Sequence, residues 1–402
     1  MTQSRIVERL SLITISIYII YTFWYQYFFS PVSGFLNLVG VVMLLLSVIK
    51  IHTNLNFYNR ILAVGGFIIY CMINGLIFSN NVSLSMELLT QIVKYCIPLY
   101  AIYIYIQSDE KRFDEIMQIV ILACGLLAIS SFFKSMYTLT YAVGIINEGG
   151  LNANVFSSYM MLGVISCTFI LTKSNGLKKY ALYVLLVTII IAQLNAASRR
   201  GILICIFIVL AYFHTIITVR SKQGIVSKML TVFLVISIIF IIANEFSALS
   251  SSFLGIQRLQ GLYTGGDVRR NYYHHAAIEL FKKSPLFGKG LGAVSNEIGM
   301  YSHSFYYELL ACTGFAGTAI MLIYIIRELI CFGKNSLKRF IKDSEIRVYS
   351  RLMFWYTCAI LICGVAVVMI YDSYFYVILS ILACSMNILM ERINCTSKRF
   401  RK

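Results

Sequence analysis

The sequence predicts an all-α, polytopic integral membrane protein of about 12 transmembrane helices, with one larger outer loop holding a short amphipathic helix. Three observations carry this. Apolar residues make up 59% of the 402-residue chain and charged residues only 13%, with a mean hydropathy of +0.79; a water-soluble core of this size does not have that balance. The apolar residues are gathered into runs of about 17 to 25, the length of a helical bilayer crossing. The cations between those runs fall mostly on one side of the topology the runs define.

The runs lie at roughly 10–29, 34–50, 61–79, 88–107, 116–135, 153–172, 180–198, 201–219, 229–247, 304–326, 352–371 and 373–390. The first follows Arg5 and Arg9 and has no small-residue cleavage site behind it, so it is expected to be a retained span. The whole chain, 1–402, reads as a single transmembrane domain, with 248–303 as its large outer loop. No internal repeat of the inverted-repeat transporter kind is visible.

Of 34 Lys and Arg, this topology places 24 on the side of the N-terminus, 8 on the other side and 2 within spans. That asymmetry is the positive-inside pattern and puts both termini in the cytoplasm. A formal net charge of +17 would otherwise suggest nucleic acid, but this distribution argues against it. The eight outer cations occupy two places only: Arg199 and Arg200, and the loop with Arg258, Arg269, Arg270, Lys282, Lys283 and Lys289. They run against the topogenic bias, which marks them for a role. The 11 cysteines fall in apolar runs or on the cytoplasmic side, so no disulfide framework is expected. The 28 Tyr and 27 Phe cluster near span ends, the pattern of an interfacial belt.

In the outer loop, Tyr272, Tyr273, Ala276, Ala277, Leu280 and Phe281 recur on a helical period, opposite His274, His275, Glu279, Lys282 and Lys283. Pro285 ends that helix, because it disfavours the α conformation at Ser284. The segment should lie along a membrane surface. Glycines also shape a second outer loop, about 136–152.

Arg199 and Arg200, at a tight outer turn, present planar forks that suit two phosphate oxygens or, alternatively, lipid headgroups. Arg269 and Arg270 offer two more on the same side. His303, where the loop dips into the tenth span, can take a proton near neutrality; Glu308, five residues on, would orient the ring or pair with an arginine. Lys94 lies inside the fourth span, where an ionisable group is a functional candidate or a snorkelling one. His274 and His275 are adjacent on a helix and point different ways, which argues against a metal site.

Together, ASRRG, then Arg270-x-x-x-His274-x-x-Ala277 leading to SPLFGKGLG, then SHSFYYELLACTGFAG resemble the O-antigen polymerase and O-antigen ligase superfamily of bacterial envelopes. The resemblance covers about fifty residues and the Ser-Arg turn. It implies a metal-independent membrane glycosyltransferase without cofactor, acting at the outer face of the bacterial cytoplasmic membrane. Such an enzyme would polymerise O-antigen or capsule repeat units by moving a growing glycan from undecaprenyl diphosphate to the terminal sugar of an incoming lipid-linked unit. A ligase, passing the chain to lipid A-core or another acceptor, is the alternative within the superfamily. A flippase for lipid-linked oligosaccharide is the alternative from another class, and charge confined to one surface disfavours it. The implied partners are undecaprenyl-diphosphate-linked glycans, the lipid bilayer, flippase and chain-length regulator proteins, and no nucleic acid. By position, the turn arginine falls on Arg199 with Arg200 beside it, the loop arginine on Arg270 next to Arg269, and the histidine on His303 with Glu308 nearby. Asp372 matches an acidic residue at the outer end of a late span. Two positions depart from the pattern: Ser304 stands where Asn is common, and His274 where an aromatic is common.

Overall fold

The computed structural model describes residues 3–29, 34–51, 62–133, 153–196, 198–219, 268–337 and 341–399. Helix α1 (Gln3–Ile20) continues through a π-helical turn (Tyr21–Tyr25) and a final turn, Gln26–Phe28. Then follow α2 (Phe35–Ile51), α3 (Leu62–Ile77), α4 (Val82–Ile106), α5 (Glu110–Phe133), α6 (Ala153–Leu171), α7 (Gly176–Asn195) and α8 (Arg199–Val219). The last five are α9 (Val268–Lys283), α10 (Ala293–Ile298), α11 (Phe305–Asn335), α12 (Ser344–Gly364) and α13 (Ser373–Arg399). Among the described residues, nine helices are long and apolar enough to cross a membrane, and two shorter apolar ones accompany them at Phe35–Ile49 and Leu62–Ile77. Every crossing expected from the sequence coincides with one of these, except 229–247, which lies outside the described residues. This is an all-α polytopic membrane protein.

Two helices form the centre. α6 and α13 are enclosed along almost their whole length, whereas α7 lies at the periphery. Around them, exposed apolar side chains such as Leu38, Leu45, Ile77, Leu177, Val184 and Ile323 face outward; on a soluble protein these would be a liability, and in hydrocarbon they are matched to their solvent.

The ends of the bundle differ. Where α1 begins and α13 finishes, here the terminal end, ion pairs join the helices: Glu8 with Arg112 at 2.5 Å, and Lys173 with Glu110 at 2.6 Å and Asp114 at 2.8 Å. Arg392 on α13 closes on the same Glu110. The opposite end is built from the turns at 78–81, 299–304 and 365–372, with the end of α7 and the start of α8 beside them. There Asn81 caps α4 by accepting from the Leu84 amide at 3.1 Å, and its side-chain amide donates to Asn296 at 3.0 Å.

One element departs from regular helix geometry and sets the architecture of that end. Within α11, Gly314 has φ 61° and ψ −167°, which breaks the helix. A break frees carbonyls and amides that a membrane interior cannot satisfy. The segment after α9 supplies them. Lys289 and Gly290 amides donate to the carbonyls of Ala311 (3.0 Å) and Cys312 (2.8 Å), and the amides of Phe315 and Ala316 donate to Pro285 (2.8 Å) and Leu286 (3.1 Å). Asn74 Nδ2 and Tyr70 Oη on α3 donate to the Phe287 carbonyl, and Tyr70 also reaches that of Thr313 at 2.7 Å. The chain after Pro285 is therefore inserted into the gap in α11.

That close approach needs glycine. A Cβ on Gly288 would lie 2.5 Å from the Cys312 carbonyl, and one on Gly314 would lie 2.5 Å from that of Leu286. Both residues also have positive φ, so both sterics and backbone geometry select against a side chain.

Candidate functional site

The insertion fixes α9. This helix ends at Lys283, just before Ser284 and Pro285, as the proline requires. Ala277 and Leu280 are buried against Val294 of α10 and Ala311 and Cys312 of α11. The buried face is mostly the one periodicity predicts, with two exchanges: Tyr272 is 60% exposed, whereas His274, expected on the polar face, lays its ring on Tyr307 at 4.6 Å. Its next residue, His275, is exposed, so the two imidazoles diverge. Burial and the nearby Arg270 guanidinium both push the His274 pKa down, which keeps that ring neutral at physiological pH.

His303 sits in a turn held from below. The Glu308 carboxylate accepts from the Ser302 amide at 2.8 Å, and Ser302 Oγ donates to the Ser304 carbonyl at 2.9 Å. Ser302, Ser304 and Glu308 are buried, while His303 between the serines is partly exposed and has φ 60°. A left-handed conformation is uncommon for a residue with a Cβ and marks a turn that its surroundings over-determine. The imidazole is clasped by Tyr301 (4.6 Å between ring centres) and by Tyr273 of α9 (5.4 Å). Tyr273 is one helical turn after Arg270, so that arginine and His303 flank the same tyrosine.

Glu308 also ties in a third segment. Tyr371 Oη donates to it at 3.5 Å and accepts from the Gly292 amide at 3.1 Å. The carboxylate thus joins the 302–304 turn, the inserted loop and the turn before α13.

Asp372, next in that turn, is ringed by protein although part of its surface is open. Desolvation pushes its pKa up to about 7, against the opposing pull of Arg200. The same carboxylate and Glu308 raise the pKa of the Tyr301 phenol, after burial itself. Arg200 thus acts on Asp372 and Asp372 on Tyr301, and Tyr301 and Tyr273 in turn hold the His303 ring.

Of the arginine pair, Arg200 is the one that turns inward. Its Nη2 donates to the Asn154 carbonyl at 2.9 Å and to Ser158 Oγ at 3.4 Å. Its Nε and Nη1 are buried without a partner, and no cation comes within ion-pair distance of Asp372 among the described residues. Two guanidinium nitrogens, carrying three N–H bonds, are thus buried without a hydrogen bond among the described residues. Arg199 is partly exposed at the same helix start. Lys94 stays outside this group: it is exposed on the flank of α4, although its neighbour Gln91 donates to the Tyr371 carbonyl at 3.3 Å. The Arg269 side chain, the 136–152 loop and residues 248–267 lie outside the described residues.

The candidates thus fall at one end of the bundle, on α8, α9, the start of α11 and the turn before α13. The tyrosines 273, 301 and 371 that link them were not singled out as site residues by sequence reasoning, because the same residues fit an interfacial belt equally well. A cavity of about 400 Å³ lies at the other end, between Glu110, Lys173, Asp343 and Arg392. An anion-binding, proton-accepting arrangement is what the site end offers: unengaged guanidinium, a carboxyl that titrates near neutrality and an imidazole on a rigid turn. Neither a family model nor a curated protein matches the chain.

Proposed function

We propose that this protein is a membrane glycosyltransferase that polymerises glycan repeat units carried on undecaprenyl diphosphate, at the face of the bacterial cytoplasmic membrane where the site end lies. The observation that carries the reading is Arg200: a guanidinium with two buried nitrogens that lack a hydrogen bond among the described residues, set apart from Asp372 by more than ion-pair distance. A diphosphate oxygen would complete that guanidinium through charge-assisted hydrogen bonds of about 1.5–3 kcal/mol each. The motif resemblance supplies the identity of the substrate.

In the proposed step, the acceptor sugar's hydroxyl oxygen attacks the anomeric carbon of the growing glycan. The bond from that carbon to the diphosphate oxygen breaks, and undecaprenyl diphosphate leaves with its charge held by Arg200, Arg270 and Arg199. The hydroxyl proton passes to His303, whose turn Glu308 holds in place. Preorganised cations at the leaving group are the main source of acceleration in this scheme.

Purified protein in detergent, given only lipid-linked repeat units, should produce a ladder of chain lengths. A ligase would give no product until another acceptor is added, and a flippase would form no glycosidic bond. Arg270→Ala should abolish long chains while the protein still accumulates in the membrane; unchanged chain length would remove Arg270 from the site.

A further inference from the structure

At the terminal end, away from the candidate site, three residues stand one turn apart on a single face of α12: Arg347, Arg351 and Trp355. Arg351 is anchored. Its Nη1 donates to Thr218 Oγ1 at 2.8 Å and its Nη2 to the Ser336 carbonyl at 3.2 Å, tying the ends of α8 and α11 together. Among the described residues Arg347 makes no side-chain hydrogen bond, and its Nε is buried without a partner. The two guanidiniums lie within each other's field, and among the described residues no carboxylate reaches ion-pair distance of either. The adjoining sequence offers none: 220–228 and 338–340 contain Arg220, Lys222, Lys228, Lys338 and Arg339 and no Asp or Glu. Elsewhere at this end, Arg112, Lys173 and Arg392 are all paired with acids. Among the described residues this pair has no carboxylate at ion-pair distance to offset its mutual repulsion.

Below the arginines the chemistry changes in order of depth. The Trp355 indole stands about 12 Å along the helix from Arg347, packed edge-on against Phe207 at 5.8 Å and His214 at 6.1 Å. Its Nε1 has no hydrogen-bond partner. Beyond it α12 is apolar as far as Gly364. Cation, then indole, then hydrocarbon is the profile of a phospholipid seen from the side, with the phosphate level with the arginines and the acyl chains alongside the tryptophan.

We infer that the α8–α12 face carrying Arg347, Arg351 and Trp355 is a binding site for the phosphate headgroup of an anionic phospholipid in the leaflet at the terminal end. The inference does not rest on the proposed activity. Arg351 holds the bundle and presents its charge; Arg347, whose Nε has no hydrogen-bond partner, supplies the adjustable contact. A soluble phosphate shares the headgroup's chemistry but not the depth profile, and the two are separable.

The chain has only two tryptophans, and Trp24 donates to Ser130 on another part of the bundle. In Trp24→Phe protein, checked for an unchanged helical spectrum, Trp355 alone reports on its neighbours. Reconstituted in phosphatidylcholine with a minor fraction of lipid brominated on its acyl chains, it should be quenched by brominated phosphatidylglycerol at about one-tenth the mole fraction needed for brominated phosphatidylcholine. Tenfold is the order one charge-assisted bond supplies. Adding Arg347→Gln should bring the two lipids to near equality. Equal quenching in the parent protein, or a preference that survives Arg347→Gln, overturns the site. A preference erased by excess inorganic phosphate overturns the lipid assignment.

Discussion

Asp372 illustrates how one residue's surroundings decide its chemistry. Its folded pKa, about 7, is above that of a free aspartate, taken as 3.8. A group of this kind stabilises the fold when protonated, so its contribution is complete below about pH 4 and is lost as the pH rises through 7. A shift of this size is worth roughly 4 kcal/mol at most. The thermal midpoint of the purified protein should therefore climb as the pH falls from 8 to 5, and Asp372→Asn should flatten that slope. A slope unchanged by the substitution would place the titration elsewhere. For activity, Arg200 is the more demanding test. Loss of its guanidinium in Arg200→Ala should lower chain extension by about a hundredfold or more, and Arg200→Lys should recover little, because a point charge cannot reproduce the fork. Arg199→Ala should cost much less, since only Arg200 turns into the polar cluster.

At the scale of elements, the central device is a helix interrupted by another part of the chain. α11 gives up its own hydrogen bonds at Gly314 and takes replacements from residues 285–290. The inserted segment continues into α10 and the His303 turn, and it begins where α9 ends, so the insertion places Tyr273 against the imidazole, with Arg270 one helical turn back along α9. Gly314→Ala or Gly288→Ala should expel the segment and destroy the folded membrane form, read as loss of a monodisperse peak in detergent chromatography. The control is Gly66→Ala on α3, where a Cβ meets nothing within 4 Å and a helical Ala is favoured by about 1 kcal/mol. If both classes of variant behaved alike, the steric argument would fail. Glu308 serves the same device from within: its carboxylate is spent on holding Ser302 and Tyr371, so Glu308→Gln should weaken the fold of the turn before it changes any proton transfer.

For the whole molecule, the two ends have opposite assignments to compartments if the cation asymmetry is topogenic. A cysteine placed at the exposed Asn296, near the site, should react with a membrane-impermeant maleimide in intact cells. The native Cys395, exposed at the far end of α13, should react only after lysis. The reverse pattern would invert the topology and with it the proposed compartment of the reaction.

The sequence by itself determined the all-α membrane architecture and nearly every crossing, because a bilayer imposes a length and a polarity that each span must meet on its own. It also determined where α9 stops, since Pro285 acts through its own ring. Periodicity placed Ala277 and Leu280 inside and His275, Lys282 and Lys283 outside, as they are, but the places of Tyr272 and His274 were not legible: docking on Tyr307 brings His274 in and leaves Tyr272 exposed. Nor was the relation between two motifs that are separate in the chain. PLFGKGLG and CTGFAG look like two glycine-rich stretches; only the tertiary structure shows that they exchange backbone hydrogen bonds. Choice between Arg199 and Arg200, and the elevated pKa of Asp372, were decided there too. Local rules act on neighbours in sequence, but burial, close backbone approach and the field of a distant charge exist only once the helices have been brought together.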